Sequence, residues 1–435
     1  MIKTIKLALV AAMAMSATSA FATNGDSLIG TGAKSRAMGG TGIAHFNGSE
    51  SSTSNPALIT KEKGTHWSFG GTYFRPDVSV QTEGTAMGTG AYDGTFNSDA
   101  KHNVIPYVAL TENLGNGFVV GASMFGSAGM GTDWRGVEDD YASGNMGLYS
   151  MRSNLLLLKF SVPIAYGQDN WSVGIAPVMM YGALDMSFDA APTGEDIGNG
   201  SSSSFGLGVE LGAAYTLPDI GVTLGAIYHS SIEMEYKDQI STTAAAFGYG
   251  SNPAALPGFS DKLEQPAEYG LGIDWTEGDI SVTADWKNIR WADARGYQDF
   301  GWENQDVYAL GAEYRMDDLA LRIGYNYAKN PIQNNTDGTI ISSGTLPTGA
   351  YDPATDGPLN SDAMNALNHV MFPAITERHY TIGAGYQFTK NVGADFAFTY
   401  ATSPDVKVSA ATVGLGDLTV TNDQMAVSAN LNYSF

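Results

Sequence analysis

The chain has 435 residues, 45 acidic against 22 basic side chains, and no cysteine. A net charge of −23 disfavours nucleic acid, whose phosphates need positive partners, and the absent thiols rule out disulfides, thiol nucleophiles and thiolate metal sites. No run of eighteen apolar residues exists, the densest being Leu155–Leu158, so helical membrane spans are excluded and a closed barrel is the remaining way to cross lipid.

Residues 1–22 read as an export signal. Lys3 and Lys6 supply the charged start, Ile5 to Met15 the short apolar run, and Ala20-Phe21-Ala22 an A-x-A cleavage site. The mature chain is expected to begin at Thr23. Residues 23–65 do not alternate and are rich in Gly, Ser and Asn. That composition leaves open a plug or a disordered tail, and leans to the tail.

From residue 66 a strand pattern runs to the last residue. Segments are expected at 66–80, 100–111, 116–128, 151–166, 170–188, 203–217, 220–237, 265–276, 279–291, 304–316, 318–329, 376–388, 391–402 and 422–435. Tyr269, Leu271, Ile273 and Trp275 alternate with Gly270, Gly272 and Asp274. Tyr308, Leu310, Ala312 and Tyr314 alternate with Ala309, Gly311 and Glu313. The final segment sets Met425, Val427, Leu431, Tyr433 and Phe435 against Ser428, Asn430, Asn432 and Ser434. Successive side chains on a strand point to opposite faces, so one face is apolar and the other small or polar.

Every second connector is short. Thr111–Gly117, Tyr166–Asn170, Leu217–Asp219, Thr276–Asp279, Met316–Asp318 and Phe388–Asn391 are tight and polar, whereas Ser241–Gln265 and Asn330–Thr376 are long. Outer-membrane barrels sort their loops in this way, with short periplasmic turns and long outer loops. The reading is all-β: a 14-stranded antiparallel transmembrane β-barrel at 66–435, both ends periplasmic, in the outer membrane of a Gram-negative bacterium. The terminal Phe435 is typical of clients of the barrel assembly machinery. A monomer in contact with outer-membrane lipid and lipopolysaccharide is expected. Lys287, Arg315 and Arg322 fall on the inner face with Asp274, Asp285, Glu313 and Asp395, which predicts a salt-bridged lumen.

Nothing points to catalysis or to a cofactor. The six histidines show no zinc spacing, and no nucleophile elbow or phosphate loop is present. Gln333-x-Asn335-x-Asp337-Gly338 lacks the acidic first and twelfth positions of a calcium loop and reads as a turn.

Asn24-Gly25, the run Gly32-Ala33-Lys34-Ser35-Arg36-Ala37-Met38-Gly39-Gly40 and Asn55-Pro56-Ala57 resemble the N-terminal hatch of the FadL family, outer-membrane transporters of long-chain fatty acids and other hydrophobic compounds. Phe118–Ser123, Gln265–Tyr269 and Phe372–Arg378 resemble later parts of the same family. The resemblance implies that residues 23–65 plug the lumen. It also implies that an apolar ligand is captured by outer loops, reaches a pocket near the hatch N-terminus and leaves sideways at a kink in the third strand. The matching stretch is Gly126-Ser127-Ala128-Gly129, continuing through Met130 and Gly131, and its local alternative is a glycine-rich strand end. Lys34 and Arg36 face either a ligand carboxylate or lumen acids that pin the plug. Phe125, Met130 and Trp134 mark an apolar groove or a loop core, and Leu367, Val370, Met371 and Phe372 a second apolar cluster, read as a short helix over the mouth. The competing functions are a polar-solute porin and a loop-based adhesin or phage receptor.

Overall fold

The computed structural model describes residues 23–84, 93–137, 147–190, 193–246, 259–333, 361–411 and 414–435. The export-signal reading of residues 1–22 and most of the 333–344 turn lie outside them. Fourteen strands form the wall: β1 Thr65–Glu83, β2 Asn103–Gly115, β3 Phe118–Asp133, β4 in two pieces (Arg152–Ser161 and Ile164–Gln168), β5 Trp171–Ala190, β6 Ser202–Leu217, β7 Val222–His229, β8 Glu268–Glu277, β9 Ile280–Ile289, β10 Gln305–Met316, β11 Leu319–Ala328, β12 Arg378–Gln387, β13 Val392–Thr402 and β14 Gly416–Ser434. Neighbours pair antiparallel, and β14 returns to β1 from Ser434↔His66 to Asp417↔Glu83, which closes the sheet.

The protein is apolar on the outside and polar within. Phe205, Leu207, Leu271, Ile323, Ile382 and Phe396 are exposed on the outer face. Thr72, Asp274, Asp285, Glu313, Arg322 and Asn430 are buried on the inner one. Lipid explains the first set and the filled lumen the second. At the short turns Asn116, Asp169 and Asp317 take φ near 50°, the left-handed region that Asn and Asp tolerate best after Gly.

Three segments depart from the sequence pattern. β4 is interrupted at Val162-Pro163, because proline has no N–H for the ladder. β7 stops at His229 instead of 237: the alternation of Ile232, Met234 and Tyr236 continues, but it packs into the cap over the outer mouth, joined to 262–265 by isolated bridges. β14 starts earlier, at Gly416, because its outer end pairs with a short extra strand, Val406–Ala410.

Residues 23–61 sit in the lumen, so the tail to which their composition leans is not what forms. α1 (Ala33–Ala37) packs Ala33 and Ala37 against Ala397 of β13. Asn55 caps the turn Pro56–Lys61, accepting from the Ala57 N–H at 3.0 Å while donating to the carbonyls of Ile43 at 2.7 Å and Ala213 of β6 at 3.2 Å. Cross-strand glycine pairs make room for this packing. Gly174 and Gly212 face each other beneath Asn55 and Pro56, Gly225 and Gly272 beneath Ile43, and Gly311 and Gly324 beneath Met38 and Gly39. A Cβ on Gly225 would lie 2.0 Å from the Ile43 carbonyl oxygen, and one on Gly324 2.1 Å from the Gly39 nitrogen.

Candidate functional site

The hatch is held by charge as well as by shape. Asp285 of β9 accepts the backbone N–H groups of Gly42 and Ile43 at 2.8 and 2.9 Å. Asp274 of β8 lies 2.6 Å from the His45 imidazole. Glu50 accepts from the Lys34 and Ser35 N–H groups at the start of α1 and from Asn430 of β14 at 2.7 Å. Burial pushes the Glu50 carboxyl up to about 7, against the pull of the Lys34 charge. The Lys34 ammonium sits 3.8 Å from Asp395. Arg36 is 1 % exposed, and its terminal nitrogens have no hydrogen-bond partner among the described residues. Burial lowers it to about 10 while the Glu50 charge opposes the shift. Below α1, Arg322 bridges Glu313 and Asp395, both at 2.6 Å, with all three side chains at most 5 % exposed. Arg315 joins Glu313 at the rim.

Removing one member of a buried ion cluster strands the rest, at a cost of about 3–5 kcal/mol. Arg322→Met is therefore expected to lower unfolding stability by about that amount. A urea midpoint in detergent equal to that of the parent would contradict the role.

The wall changes character at β3. The β2–β3 ladder runs from Gly115↔Phe118 to Tyr107↔Phe125 and ends there. The remaining β2 residues, Asn103–Pro106, stay paired with β1 alone. From Gly126 onward β3 follows β4, with Ser127 as an extra residue between the pairs Gly126↔Leu158 and Ala128↔Leu157. Such a bulge bends its strand. The freed edge of β3 turns to the hatch: Ala128 bridges Ser27, and the Gly129 N–H donates to the Asp26 carbonyl at 3.0 Å. Leu28, Ile105 and Phe74 fill the inner side of the resulting gap.

The same hatch tip reaches the outer cap. Asp26 is fully buried and accepts from the Tyr297 hydroxyl and from Gln265. Tyr297 packs at a tilt against Trp291 and Trp302, whose ring centroids are 4.7 and 4.8 Å away, and Gly25 lies against Trp291. Burial raises the Asp26 carboxyl from 3.8 to about 6, partly offset by the Tyr297 and Gln265 hydrogen bonds. The folded state thus holds this proton more tightly than the unfolded one. Stability from this group is full well below pH 4 and is lost as pH rises through 6, a total of about 3 kcal/mol across the whole titration. Asp26→Asn is expected to remove that slope from the melting temperature between pH 4 and 6. An unaltered slope would exclude Asp26 as its source.

Of the ligand residues expected from sequence, Met130, Trp134, Leu367 and Phe372 meet in one apolar core under the outer loops. Trp134 is buried and donates to the Val370 carbonyl at 2.8 Å, and 361–371 is helical. Phe125 stands apart, against Tyr107 and Ala109 and beneath the Lys159 ammonium. It borders a cavity of about 90 Å³ between the hatch tip and the wall, with Leu28, Ile29, Ala128, Met180 and Ile227 on its apolar side. Sequence reasoning missed Asp26, Tyr297, Lys159 and Glu268. A lone Asp after Asn-Gly carries no local signal, and Lys159 reads as the break in an apolar run.

A closed barrel with an apolar outer face, a seated plug and a wall gap beside the plug's tip is the architecture of an outer-membrane channel for apolar molecules. Residues 7–344 match the family described as outer membrane protein transport protein (OMPP1/FadL/TodX). The chain belongs to this family of outer-membrane transporters of hydrophobic compounds, which are channels and not enzymes. A 47 kDa outer membrane protein of Pasteurella multocida is 23% identical over 373 residues, 80% of this chain and 79% of that protein. An uncharacterized Chlorobium limicola protein is 43% identical over 84 residues, 19% of this chain and 41% of the relative's length. Among solved structures, a Pseudomonas aeruginosa FadL homologue superposes with a TM-score of 0.64 at 18% identity, covering 94% of this chain and 100% of that one. The Pseudomonas putida toluene transporter TodX gives 0.62 at 18%, covering 95% and 100%.

Proposed function

We propose that the protein takes up long-chain fatty acids or related hydrophobic compounds passively. Capture is at the outer loops, passage is by the pocket at the hatch tip, and exit is sideways between β2 and β3. The observation that carries this reading is the end of the β2–β3 ladder at Tyr107↔Phe125, where the freed strand bonds instead to Ser27 and Asp26 of the hatch. An apolar molecule crosses a watery lumen poorly, whereas apolar walls offer roughly 0.8 kcal/mol per buried CH₂. Exit through the wall returns it to lipid without crossing the charged lumen base around Arg322. Diffusion down a gradient then suffices. The seated hatch disfavours the porin alternative; an adhesin or receptor role for the loops is compatible with transport.

In this reading residues 1–22 are the export signal, 23–65 the hatch and 66–435 the barrel of a monomer, placed by the assembly machinery among the lipid and lipopolysaccharide of a Gram-negative outer membrane. The test is initial uptake of radiolabelled oleate and toluene by cells with and without the chain. Uptake of at least one is expected to rise severalfold. Unchanged uptake of both, with folded protein in the membrane, would exclude the reading.

A further inference from the structure

The cavity at the hatch tip has an apolar side and a charged floor. Lys159 projects from β4, His229 from the end of β7, Glu268 from β8 and Lys287 from β9. Glu210 of β6 backs Lys159 at 2.9 Å, with side-chain exposures of 2 % and 15 %. Glu268 lies 3.7 Å from Lys287 and 3.9 Å from His229. With the imidazole neutral, two lysines face two carboxylates and the floor carries no net charge. Arg36, whose buried terminal nitrogens have no hydrogen-bond partner among the described residues, is not part of the cavity wall.

We propose, building on the transport reading above, that this pocket selects uncharged cargo, a hydrocarbon or an alcohol, over a carboxylate, because carboxylates from neighbouring strands already neutralise its lysines. An incoming carboxylate would meet two ammonium groups and two acids in a space shielded from water, and would have to displace Glu210 or Glu268 to find a partner. A neutral molecule meets the apolar side without disturbing either pair. The cavity is also smaller than the apolar cavities of about 150 Å³ that hold a benzene, so cargo of any length shifts the hatch tip. The floor pairs lie on rigid wall strands and keep their charge balance when it does.

The experiment compares decanol with decanoate, equal in chain length and different in charge. Binding of each, radiolabelled, to the full chain in amphipol is measured by equilibrium dialysis at pH 8. Glu268→Gln removes one acid and leaves the floor with a net positive charge. It is expected to raise decanoate affinity relative to decanol at least fivefold. Lys287→Met, which leaves the floor net negative, is expected to shift the ratio the other way, and gel mobility with and without heating reports folding of both. A decanoate-to-decanol ratio unmoved in folded Glu268→Gln, or decanoate binding to the parent more tightly than decanol, would overturn the inference alone. Binding of neither solute above an amphipol blank would overturn it together with the transport reading.

Discussion

Gly225→Val opens the lumen: single-channel conductance in planar bilayers rises at least about tenfold over the parent, while the barrel still assembles. The new side chain is directed at the Ile43 carbonyl, which a Cβ would approach to 2.0 Å. The Cβ position is fixed by the backbone and its partner is a backbone carbonyl, so no rotamer change relieves the overlap, and the cost exceeds the roughly 1–3 kcal/mol of ordinary overpacking. Moving Ile43 away breaks the two N–H bonds to Asp285 and pulls His45 from Asp274. The hatch loses its middle anchor. The wall does not, because the Gly225↔Gly272 pairing is made by the backbone. Deleting residues 23–61 should give a similar or larger conductance. A folded Gly225→Val barrel as silent as the parent would show that the glycine pairs do not seat the hatch.

Deleting Ser127 closes the wall. Ser127 is the extra residue that separates the register Gly126↔Leu158 from Ala128↔Leu157. Without it, Gly126↔Leu158 is followed directly by Ala128↔Leu157, the β3–β4 ladder is regular, and the bend that turns β3 away from β2 is lost. Ala128 and Gly129 then lose their places opposite Ser27 and Asp26, and β3 is free to continue along β2 past Phe125. Uptake of hydrophobic cargo is expected to fall by about an order of magnitude, with conductance unchanged because the hatch stays seated through Asp285, Asp274 and Glu50. Full uptake by a folded deletion variant would remove lateral exit from consideration.

The fold was legible because lipid imposes a period of two on every wall strand. Tyr269, Leu271, Ile273 and Trp275 all emerge on the outer face, partly or largely exposed, as their alternation requires. Loop parity placed the ends, and Asp317 with Asn116 marked tight turns. The misreadings have different causes. At 230–237 the alternation is real, but the partner is the cap and not a wall strand, and a local pattern does not name its partner. At Pro163 the missing N–H was readable and would have split β4.

The hatch and the gap were less legible. Residues 23–65 have the composition of a tail because their burial is supplied by the barrel: Asn55, Glu50 and His45 are satisfied by residues more than 150 positions away. Gly225, Gly272, Gly311 and Gly324 read only as small inner-face residues, and their meaning appears when each is seen opposite another beneath the plug.

The sequence by itself settled which side of each strand meets lipid and where the long loops lie, since both follow from side-chain alternation and connector length, which are local. Only the tertiary structure decided which lumen charges pair, where β3 leaves β2, and that Asp26 ties the hatch tip to the outer cap. Those depend on register between strands far apart in the chain, and a single slip by one residue would reassign every one of them.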